Sequence, residues 1–497
     1  MMLYCKNTPK GDCILKKEIP LYLFICRKIE DDIYNGKLKL GDTLPSEPKI
    51  SKQMGASRNS VRKALRLLQD SNLIFCSHGK NAQVIFDSRL PEHREAYEKR
   101  FENRRHGISD TYRMLSILLP SIITYGASKC SREDYMTLYE MTDNLDSADP
   151  IEMFAFHCRF IRNILRRTDN PFVIELFEQI CDFVRIDSIY SSITGHTLHE
   201  DLSEEAIKGW YKELLDHAAK QNFKHFHHSL LQGLNEISQR FDAAYIVNAP
   251  AAPSEAESFN WFIDNAPTPL YLRIASDIMW ESEKSGNVAG DFLPSESELR
   301  SVYGVSPVTV RKALSILNSL GLTRTFNGKG TQIVFERSHS PEVLGQLDEY
   351  LSSLEILRYS CKAIAFDAFK SITEKDKKYI LELLESKSYS RGVTTALTDI
   401  LISSIQSPAM HNIYEHLKIK LAYGVILKTF VSNDDYDRVD RLLYGDMDKL
   451  AKAVTNNDTA LLGKIIESTY RQTYEYSENK LKLLYAEQTE EIKEKTL

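Results

Sequence analysis

The sequence predicts a mainly α-helical fold in which two winged helix-turn-helix domains are each followed by an all-helical bundle. Two observations predict it: a 67-residue segment occurs twice, 249 positions apart, and the regions after both copies have helical rather than alternating periodicity. The predicted divisions are an N-terminal extension at 1–19, winged helices at 20–86 and 269–335, helical effector or dimerisation domains at 87–246 and 336–497, and a linker at 247–268.

The repeated segment aligns Pro20–Phe86 with Pro269–Phe335 without a gap. Twenty-five of the 67 positions are identical, whereas chance would give about four at average amino-acid frequencies. The copies share PLYL at the start, GD-x-LPSE and VRKAL in the centre, and a final GK-x-x-Q-x-x-F. This similarity indicates a duplicated domain, so the chain is predicted to be a tandem duplication.

Length and composition predict a globular, multidomain protein. A chain of 497 residues exceeds one ordinary hydrophobic core, so three or four domains are expected. The sequence has no stretch of 18 apolar residues and no signal-peptide pattern, so neither a membrane span nor export is expected. Its eight cysteines are scattered without a CxxC pair, which favours a reducing, cytoplasmic location.

The net charge of −6 is unevenly distributed. Residues 20–86 contain 11 Lys/Arg and 6 Asp/Glu, whereas residues 269–335 contain 7 and 6, so the rest of the chain is strongly acidic. A basic island in an acidic chain indicates contact with a polyanion. A solvated basic face would give the same balance, so charge alone leaves both readings open.

The first copy predicts two helices before a turn. The first helix has apolar residues at helical spacing, namely Leu21, Ile25, Ile29 and Ile33. Ser46, in LPSE, can cap the second helix, and the following glutamate favours the positive end of the helix dipole. That helix is expected to extend to about Met54 and to end at Gly55.

A third helix is predicted from a cap at Ser57 to about Gln69. Its expected buried stripe is Val61, Ala64, Leu65 and Leu68. Its expected outward residues are Arg58, Asn59, Arg62 and Lys63. Short strands at 73–76 and 82–86 then flank a turn, His78-Gly79-Lys80. This order of elements predicts a winged helix.

A winged helix has a surface suited to double-stranded DNA, because its third helix fits the major groove and its arginines can pair with guanine. The hairpin glycine allows the backbone to approach a phosphate, and the neighbouring lysine adds charge. The candidate DNA-binding residues of the first copy are Ser46, Ser57, Arg58, Asn59, Ser60, Arg62, Lys63, His78, Gly79 and Lys80. Those of the second copy are Ser295, Ser306, Thr309, Arg311, Lys312, Asn327, Gly328 and Lys329.

The LPSE turn, the VRKAL helix and the HGK and NGK wings resemble the GntR family of bacterial transcription regulators. The resemblance implies a winged helix paired with a larger effector-binding domain through which the protein dimerises. The family's arginine two positions beyond the serine of LPSE is replaced here by Pro48 and Ser297. Its arginine at the start of the third helix is present as Arg58 but replaced by Pro307, so the first copy is expected to be the stronger reader of bases.

The two long regions predict helical bundles. Breaks are expected in the first near Gly107, Ser131, Asp149-Pro150, Asn170-Pro171, Thr194-Gly195 and Gln221-Asn222, giving about six helices. Breaks are expected in the second near Thr373, Ser390, Ser407-Pro408, Asn433-Asp434 and Asn456-Asn457. Helices are expected over Tyr112–Asp134 and Ile356–Asp376. The parallel segments TDNPFVIELFEQI and IQSPAMHNIYEHL resemble the FadR-type, or FCD, helical effector domain.

Many such domains hold a divalent metal with one aspartate and three histidines, so the resemblance raises the question of a metal site. His157 matches the first histidine, but Met153 replaces the aspartate and Tyr211 the next histidine. Only the cluster that includes His228 could supply a last ligand. A tight site needs three or four convergent ligands, so no metal and no cofactor are predicted.

The predicted function is a DNA-binding repressor, controlled by a small-molecule effector, whose two heads make one chain a fused pseudo-dimer. A homodimer of the fused chain stays possible. An alternative is an interaction protein in which one or both winged helices no longer read DNA. An enzyme is not predicted, since common catalytic motifs are absent. Val247–Ser258 is expected to be an extended linker, and Glu487–Leu497 either frays or ends a helix.

Overall fold

The computed structural model describes residues 19–77, 79–88, 90–146, 149–195, 203–247, 256–337, 340–385, 392–430 and 447–496. The chain divides into two compact units, with the boundary in the sequence between Pro267 and Thr268. Each unit contains a winged helix and then a helical bundle, so the predicted fold class is confirmed. Residues 1–18 of the predicted extension at 1–19, the breaks at Ser390 and Asn433-Asp434, and the tip residue His78 lie outside the described residues.

The first unit begins with a winged helix and continues as six long helices. The winged helix, here called head one, comprises α1 (Leu21–Tyr34), α2 (Glu47–Gln53), α3 (Arg58–Asp70), β1 (Ile74–Phe75) and β2 (Gln83–Val84). The bundle comprises α4 (Arg94–Lys129), α5 (Arg132–Asp143), α6 (Pro150–Leu165), α7 (Pro171–Thr194), α8 (Glu204–Ala219) and α9 (Phe223–Tyr245).

The second unit repeats this order. Head two comprises α10 (Leu270–Lys284), α11 (Glu296–Tyr303), α12 (Pro307–Ser319), β3 (Thr323–Phe326) and β4 (Gly330–Ile333). Its bundle comprises α13 (Pro341–Ala368), α14 (Glu374–Glu385), α15 (Gly392–Ser404), α16 (Pro408–Leu421), a 3-10 segment (Ala422–Thr429), α17 (Met447–Thr455) and α18 (Thr459–Thr496). α13 begins well before the predicted Ile356, and α18 makes the C-terminal charged segment a helix end.

The heads are held together by the stripes that the sequence predicts. In α3 the buried residues are Val61, Ala64, Leu65 and Leu68. In α12 they are Val310, Ala313, Leu314 and Leu317. Both wings are antiparallel hairpins, and strands β1 and β2 are shorter than predicted because only Ile74 pairs with Val84 and Phe75 with Gln83. A third backbone segment bridges each wing, at Thr43 in head one and at Phe292 in head two.

The predicted cap at Ser46 is wrong for its side chain. Ser46 lies at the N-cap of α2, but its hydroxyl accepts no backbone hydrogen bond from the helix. Pro48 removes one of the N–H groups that a cap can accept, and Lys49 follows at the third helical position. In head two that position is Glu298, and Ser295 and Glu298 form a reciprocal capping box.

Gly107 does not break a helix, contrary to the prediction. It lies inside α4, which runs unbroken from Arg94 to Lys129. The backbone of Glu257 crosses the helix there, and its N–H donates to the carbonyl oxygen of Asn103 at 2.9 Å. A Cβ on Gly107 would lie 2.1 Å from the Glu257 carbonyl oxygen, so a glycine is needed for this close approach.

Residues 257–263, here called the strap, pack on the first unit instead of forming an extended linker. Phe259, Trp261 and Ile263 are all buried. The side-chain amide of Gln179 on α7 donates to the Phe262 carbonyl oxygen at 2.7 Å and accepts from its N–H at 2.9 Å. The predicted linker at 247–268 therefore contains a packed segment, while residues 248–255 lie outside the described part.

The first bundle contains a buried carboxyl group. Asp187 on α7 is only 4% exposed and accepts a hydrogen bond from the Tyr112 hydroxyl at 3.1 Å. Burial raises the pKa of Asp187 to about 7, although the tyrosine bond opposes the shift. The carboxyl group therefore keeps its proton in the folded protein at pH values where an exposed aspartate is ionised.

Opposite effects are expected for two glycine-to-alanine changes within helices. Alanine usually stabilises a helix interior by up to about 1 kcal/mol relative to glycine. Gly209→Ala should do so, since no atom lies within 4 Å of the added methyl group. Gly107→Ala should instead destabilise the first unit by about 1–3 kcal/mol through overpacking against the strap. Urea denaturation measures both changes, and equal shifts would contradict the close approach.

Asp187 should make the stability of the first unit depend on pH. Its folded-state pKa of about 7 lies above that of the unfolded chain, so its stabilising contribution is complete at low pH and is lost as pH rises through about 7. Asp187→Asn keeps an acceptor for Tyr112 but cannot ionise. Melting temperatures at pH 5 and pH 8 should show wild type losing stability relative to the variant as pH rises. A difference that does not change with pH would contradict this.

Candidate DNA-binding surfaces

The third helix of head one presents a polar, cationic face to solvent. Ser57 caps α3, because its hydroxyl accepts the Ser60 N–H at 3.1 Å. One face of the helix is buried in the head, and the other exposes Arg58, Asn59, Arg62 and Lys63. These four side chains are exposed because the apolar residues of α3 recur at helical spacing and fill its buried face. A helix with this exposed face can enter a major groove.

An arginine–glutamate pair occurs at the same place in both heads. The Arg62 Nε donates to Glu47 Oε2 at 2.8 Å in head one. The Arg311 Nε donates to Glu296 Oε2 at 3.0 Å in head two. Each pair joins the VRKAL helix to the LPSE turn and orients an arginine side chain that is more than half exposed. The two terminal nitrogens of arginine carry four of its five N–H donors, which suits them to a guanine edge.

The helix lysines lie against the first helix of each head. The Lys63 Nζ lies 3.6 Å from the centre of the Tyr22 ring. The Lys312 Nζ lies 5.7 Å from the centre of the equivalent Tyr271 ring. Cation–π contacts of this kind are weak at exposed sites. Both lysines are exposed, so they remain accessible to a phosphate.

Both wings end in a glycine with left-handed backbone geometry. Gly79 has φ of 72° and Gly328 has φ of 74°. Among the described residues, no atom lies within 4 Å of a Cβ placed at either glycine, so a backbone or a ligand can approach closely. Lys80, Asn327 and Lys329 are exposed beside them. The wing tips therefore offer charge and backbone access at the surface.

The third helix of head two begins differently from that of head one. Ser306 caps α12 by accepting the Thr309 N–H at 3.2 Å, and Pro307 occupies the first helical position. Proline is well suited to that position but carries no side-chain donor. Val308 follows and is 60% exposed. The two heads therefore share a cap but present different first turns.

In head two, the serine of the LPSE turn, Ser295, forms hydrogen bonds with the helix that it begins. The Ser295 hydroxyl accepts the Glu298 N–H at 3.3 Å and donates to the Glu298 carboxylate at 2.8 Å. These bonds hold the start of α11. Pro48 and Ser297, which stand where the family resemblance expects an arginine, are both exposed.

The two histidines considered as metal ligands have other surroundings. The Nδ1 of His157 is hydrogen-bonded to the Tyr211 hydroxyl, and both residues lie among the rings of Phe156 and Phe160. His228 is exposed on α9. Within the described residues, no three His, Cys, Asp or Glu side chains converge as metal ligands. Tyr211 thus occupies the position where the family resemblance would require a histidine.

Sequence reasoning missed the ionic contacts that join head one to its bundle. Asp31 on α1 accepts from Arg100 at 2.9 Å and also bonds Arg104, both on α4. Glu257 of the strap pairs with the same two arginines. Burial disfavours a charged Glu257, but the two guanidinium groups outweigh it and hold the carboxyl pKa below its usual value. The four-residue spacing of the arginines on one helix face was the available signal.

Different residues join head two to its bundle. The Trp280 Nε1 on α10 donates to Asp399 Oδ1 at 2.9 Å, and the Lys418 Nζ pairs with the same oxygen at 2.8 Å. Nearby, the Tyr303 hydroxyl donates to Asp277 Oδ2 at 2.9 Å. Burial raises the pKa of Asp277 to about 6, although Lys418 opposes this. In both units, therefore, buried charges lie between the head and the helices that follow it.

Comparison with known proteins bears on the two heads. The family model described as "Bacterial regulatory proteins, gntR family" matches residues 21–84 and 285–333, which lie within the two winged helices.

Among the described helices, none combines the length and apolar content needed to cross a bilayer.

Curated relatives align with about half of the chain. The Exu regulon transcriptional regulator of Escherichia coli (strain K12) is 20% identical over 233 residues, covering 45% of this chain and 88% of that protein. The Uxu operon regulator of Haemophilus influenzae is 24% identical over 226 residues, covering 44% and 80%. The mannosyl-D-glycerate transport/metabolism system repressor MngR of Escherichia coli (strain K12) is 37% identical over 93 residues, covering 18% and 39%.

A solved structure of Streptococcus agalactiae GntR is 15% identical and covers 44% of this chain and 99% of its own, with a TM-score of 0.23. The family match falls on both heads, whose elements follow the winged-helix order, and the curated relatives are regulators of transcription. The two winged helices are therefore those of the gntR family of bacterial regulatory proteins.

Proposed function

We propose that the protein is a transcriptional repressor that binds an operator through two unlike heads and responds to a small-molecule effector held in a helical bundle. The observation that carries the proposal is the outward cationic face of α3 and α12 within the regions matched by the family model. Both faces are accessible within their own units, so a duplex can dock on either.

The proposed DNA contacts divide into base and phosphate contacts. Base contacts are assigned to the first turn and centre of each third helix, namely Ser57, Arg58, Asn59, Ser60 and Arg62 in head one and Ser306, Thr309 and Arg311 in head two. Phosphate contacts are assigned to Ser46, Lys63, His78, Gly79, Lys80, Ser295, Lys312, Asn327, Gly328 and Lys329. Arginine suits paired bonds to guanine, whereas lysines and wing backbone suit phosphates.

Repression is supported by the relative named as a repressor, MngR, which is 37% identical over its aligned segment. Covalent linkage of two heads supports the pseudo-dimer, because the second head then binds at high effective concentration without a partner subunit. Since the heads differ at their first turns, the operator should contain two unlike half-sites. A homodimer of the fused chain would add further heads.

Effector control is supported by the buried charges between each head and its bundle. Asp31 of head one is bonded to two arginines of α4, and Trp280 of head two is bonded to Asp399 of α15. A ligand that binds one arrangement of the bundle better than another would bias the head through these contacts. Its effect on DNA affinity could not exceed its own preference, in binding free energy, for one arrangement over the other.

A second candidate function is an interaction protein whose head two no longer reads DNA. It is favoured by one observation: head two begins its third helix with Pro307 and exposed Val308, where head one has Arg58 and Asn59. DNA binding should weaken steeply with salt, because cations on the protein replace counterions on the duplex. Association through an apolar surface should not.

Removing arginines from the two heads should weaken DNA binding unequally. Arg58→Ala and Arg62→Ala each remove a proposed base contact from head one, and each should cost about 1–3 kcal/mol of binding free energy. Arg311→Ala removes the one arginine proposed to contact bases in head two. Gel shifts on the DNA upstream of the gene should therefore show a larger combined loss for head one.

Lys224→Ala is the matched control, because Lys224 is an exposed cation on α9 of the first bundle and belongs to neither head. It should leave the affinity unchanged. Equal losses from the two heads would contradict their proposed asymmetry. Wild-type binding that does not vary between about 50 and about 200 mM salt, a range over which the Debye length falls roughly twofold, would contradict DNA as the partner.

A further inference from the structure

The third helices of the two heads share one frame. Ser57 and Ser306 cap them with nearly equal hydrogen bonds, of 3.1 and 3.2 Å. The buried stripes begin three residues after the first helical residue in both, and Arg62 and Arg311 make the same bond to the LPSE glutamate. A residue at a given position of one helix therefore faces outward wherever its counterpart does.

Position two of this frame differs in chemistry. It is Asn59 in head one and Val308 in head two, and both are exposed. Val308 is 60% exposed, one of the most exposed large apolar side chains in the described residues. Exposed Arg311 and Lys312 lie one turn further along α12. An apolar side chain thus lies on a surface whose neighbouring charges suit a polyanion.

The major groove offers such a side chain one characteristic partner. Its base edges carry hydrogen-bond donors and acceptors, and the only apolar group among them is the 5-methyl group of thymine. Asn59 can instead pair with the edge of adenine. Valine has no donor or acceptor with which to compete for the other base pairs, so its contribution there comes from apolar contact alone.

We propose that Val308 is a specificity-determining residue that packs against the 5-methyl group of a thymine in the half-site bound by head two. The inference rests on the proposed function, since it requires head two to bind DNA. Head two then selects a T·A pair at the position where head one, through Asn59, selects by hydrogen bonds. Pro307 supports the contact by keeping the preceding position free of a competing polar side chain.

The test uses the full chain and replaces thymine by deoxyuridine, which removes only the 5-methyl group. Duplexes are first selected by the wild-type protein from a random-sequence library. The half-site of head two is the one whose protection from cleavage disappears in Arg311→Ala. Each thymine of that half-site is then replaced singly, and affinities are measured by gel shift or fluorescence anisotropy.

One replacement should weaken wild-type binding about fourfold, the effect expected for one buried methyl group. The same replacement should have no effect on Val308→Ala, which lacks the contacting methyl groups. Asn59→Ala is the matched control at the equivalent position, and it should keep the full deoxyuridine effect in the half-site of head two. Because Val308 is exposed, its substitution should leave the melting temperature unchanged.

Two results would overturn the inference. If no thymine replacement weakens wild-type binding, or if the loss is equal in Val308→Ala, Val308 does not contact a thymine methyl group. If Arg311→Ala leaves all protection intact, no half-site depends on the third helix of head two, and the inference fails while head one still binds. Selection of no duplex at all would instead overturn the proposed function itself, which separates the two failures.

Discussion

Arg100 and Arg104 connect three parts of the first unit that are far apart in the chain. Both arginines lie on α4 of the bundle and are less than one-tenth exposed. They bind Asp31 of head one on one side and Glu257 of the strap on the other. Buried guanidinium groups need paired carboxylates, because an unpaired charge in the interior is costly. The position of head one on its bundle therefore depends on these contacts.

The strap extends the same constraint. Glu257 reaches the arginines because Gly107 allows its backbone to lie directly on α4. Phe259 and Trp261 then bury their rings, and Gln179 bonds both backbone groups of Phe262. A segment that resembles a linker in composition thus completes the core of the first unit. Its removal would expose apolar rings and take the Glu257 carboxylate away from both arginines.

The duplication kept the heads similar and left their connections to differ. Caps, buried stripes and the arginine–glutamate pair recur at equivalent positions, because each head needs them to fold and to orient its outward face. The contacts to the bundles are made by arginines and carboxylates in one unit, and by Trp280, Asp399 and Lys418 in the other. The two heads are therefore joined to their bundles by chemically different contacts.

The sequence by itself determined the two winged helices, the helical character of the regions after them and most of the helix ends. Those features depend on local physics: apolar periodicity, capping serines such as Ser57 and Ser306, and proline starts such as Pro171 and Pro408. The exposed residues of α3 could also be predicted, since a buried stripe leaves its opposite face to solvent.

Only the tertiary structure decided the role of Gly107, the packing of the strap and the partners of Arg100 and Arg104. In the sequence, Gly107 suggests a helix break because glycine is a poor helix former, and the strap follows an Ala/Pro/Ser-rich stretch. Their actual roles arise from contacts between residues about 150 positions apart, as between Arg104 and Glu257. Local patterns carry no record of such contacts, because the energy of a buried pair depends on what folding brings beside it.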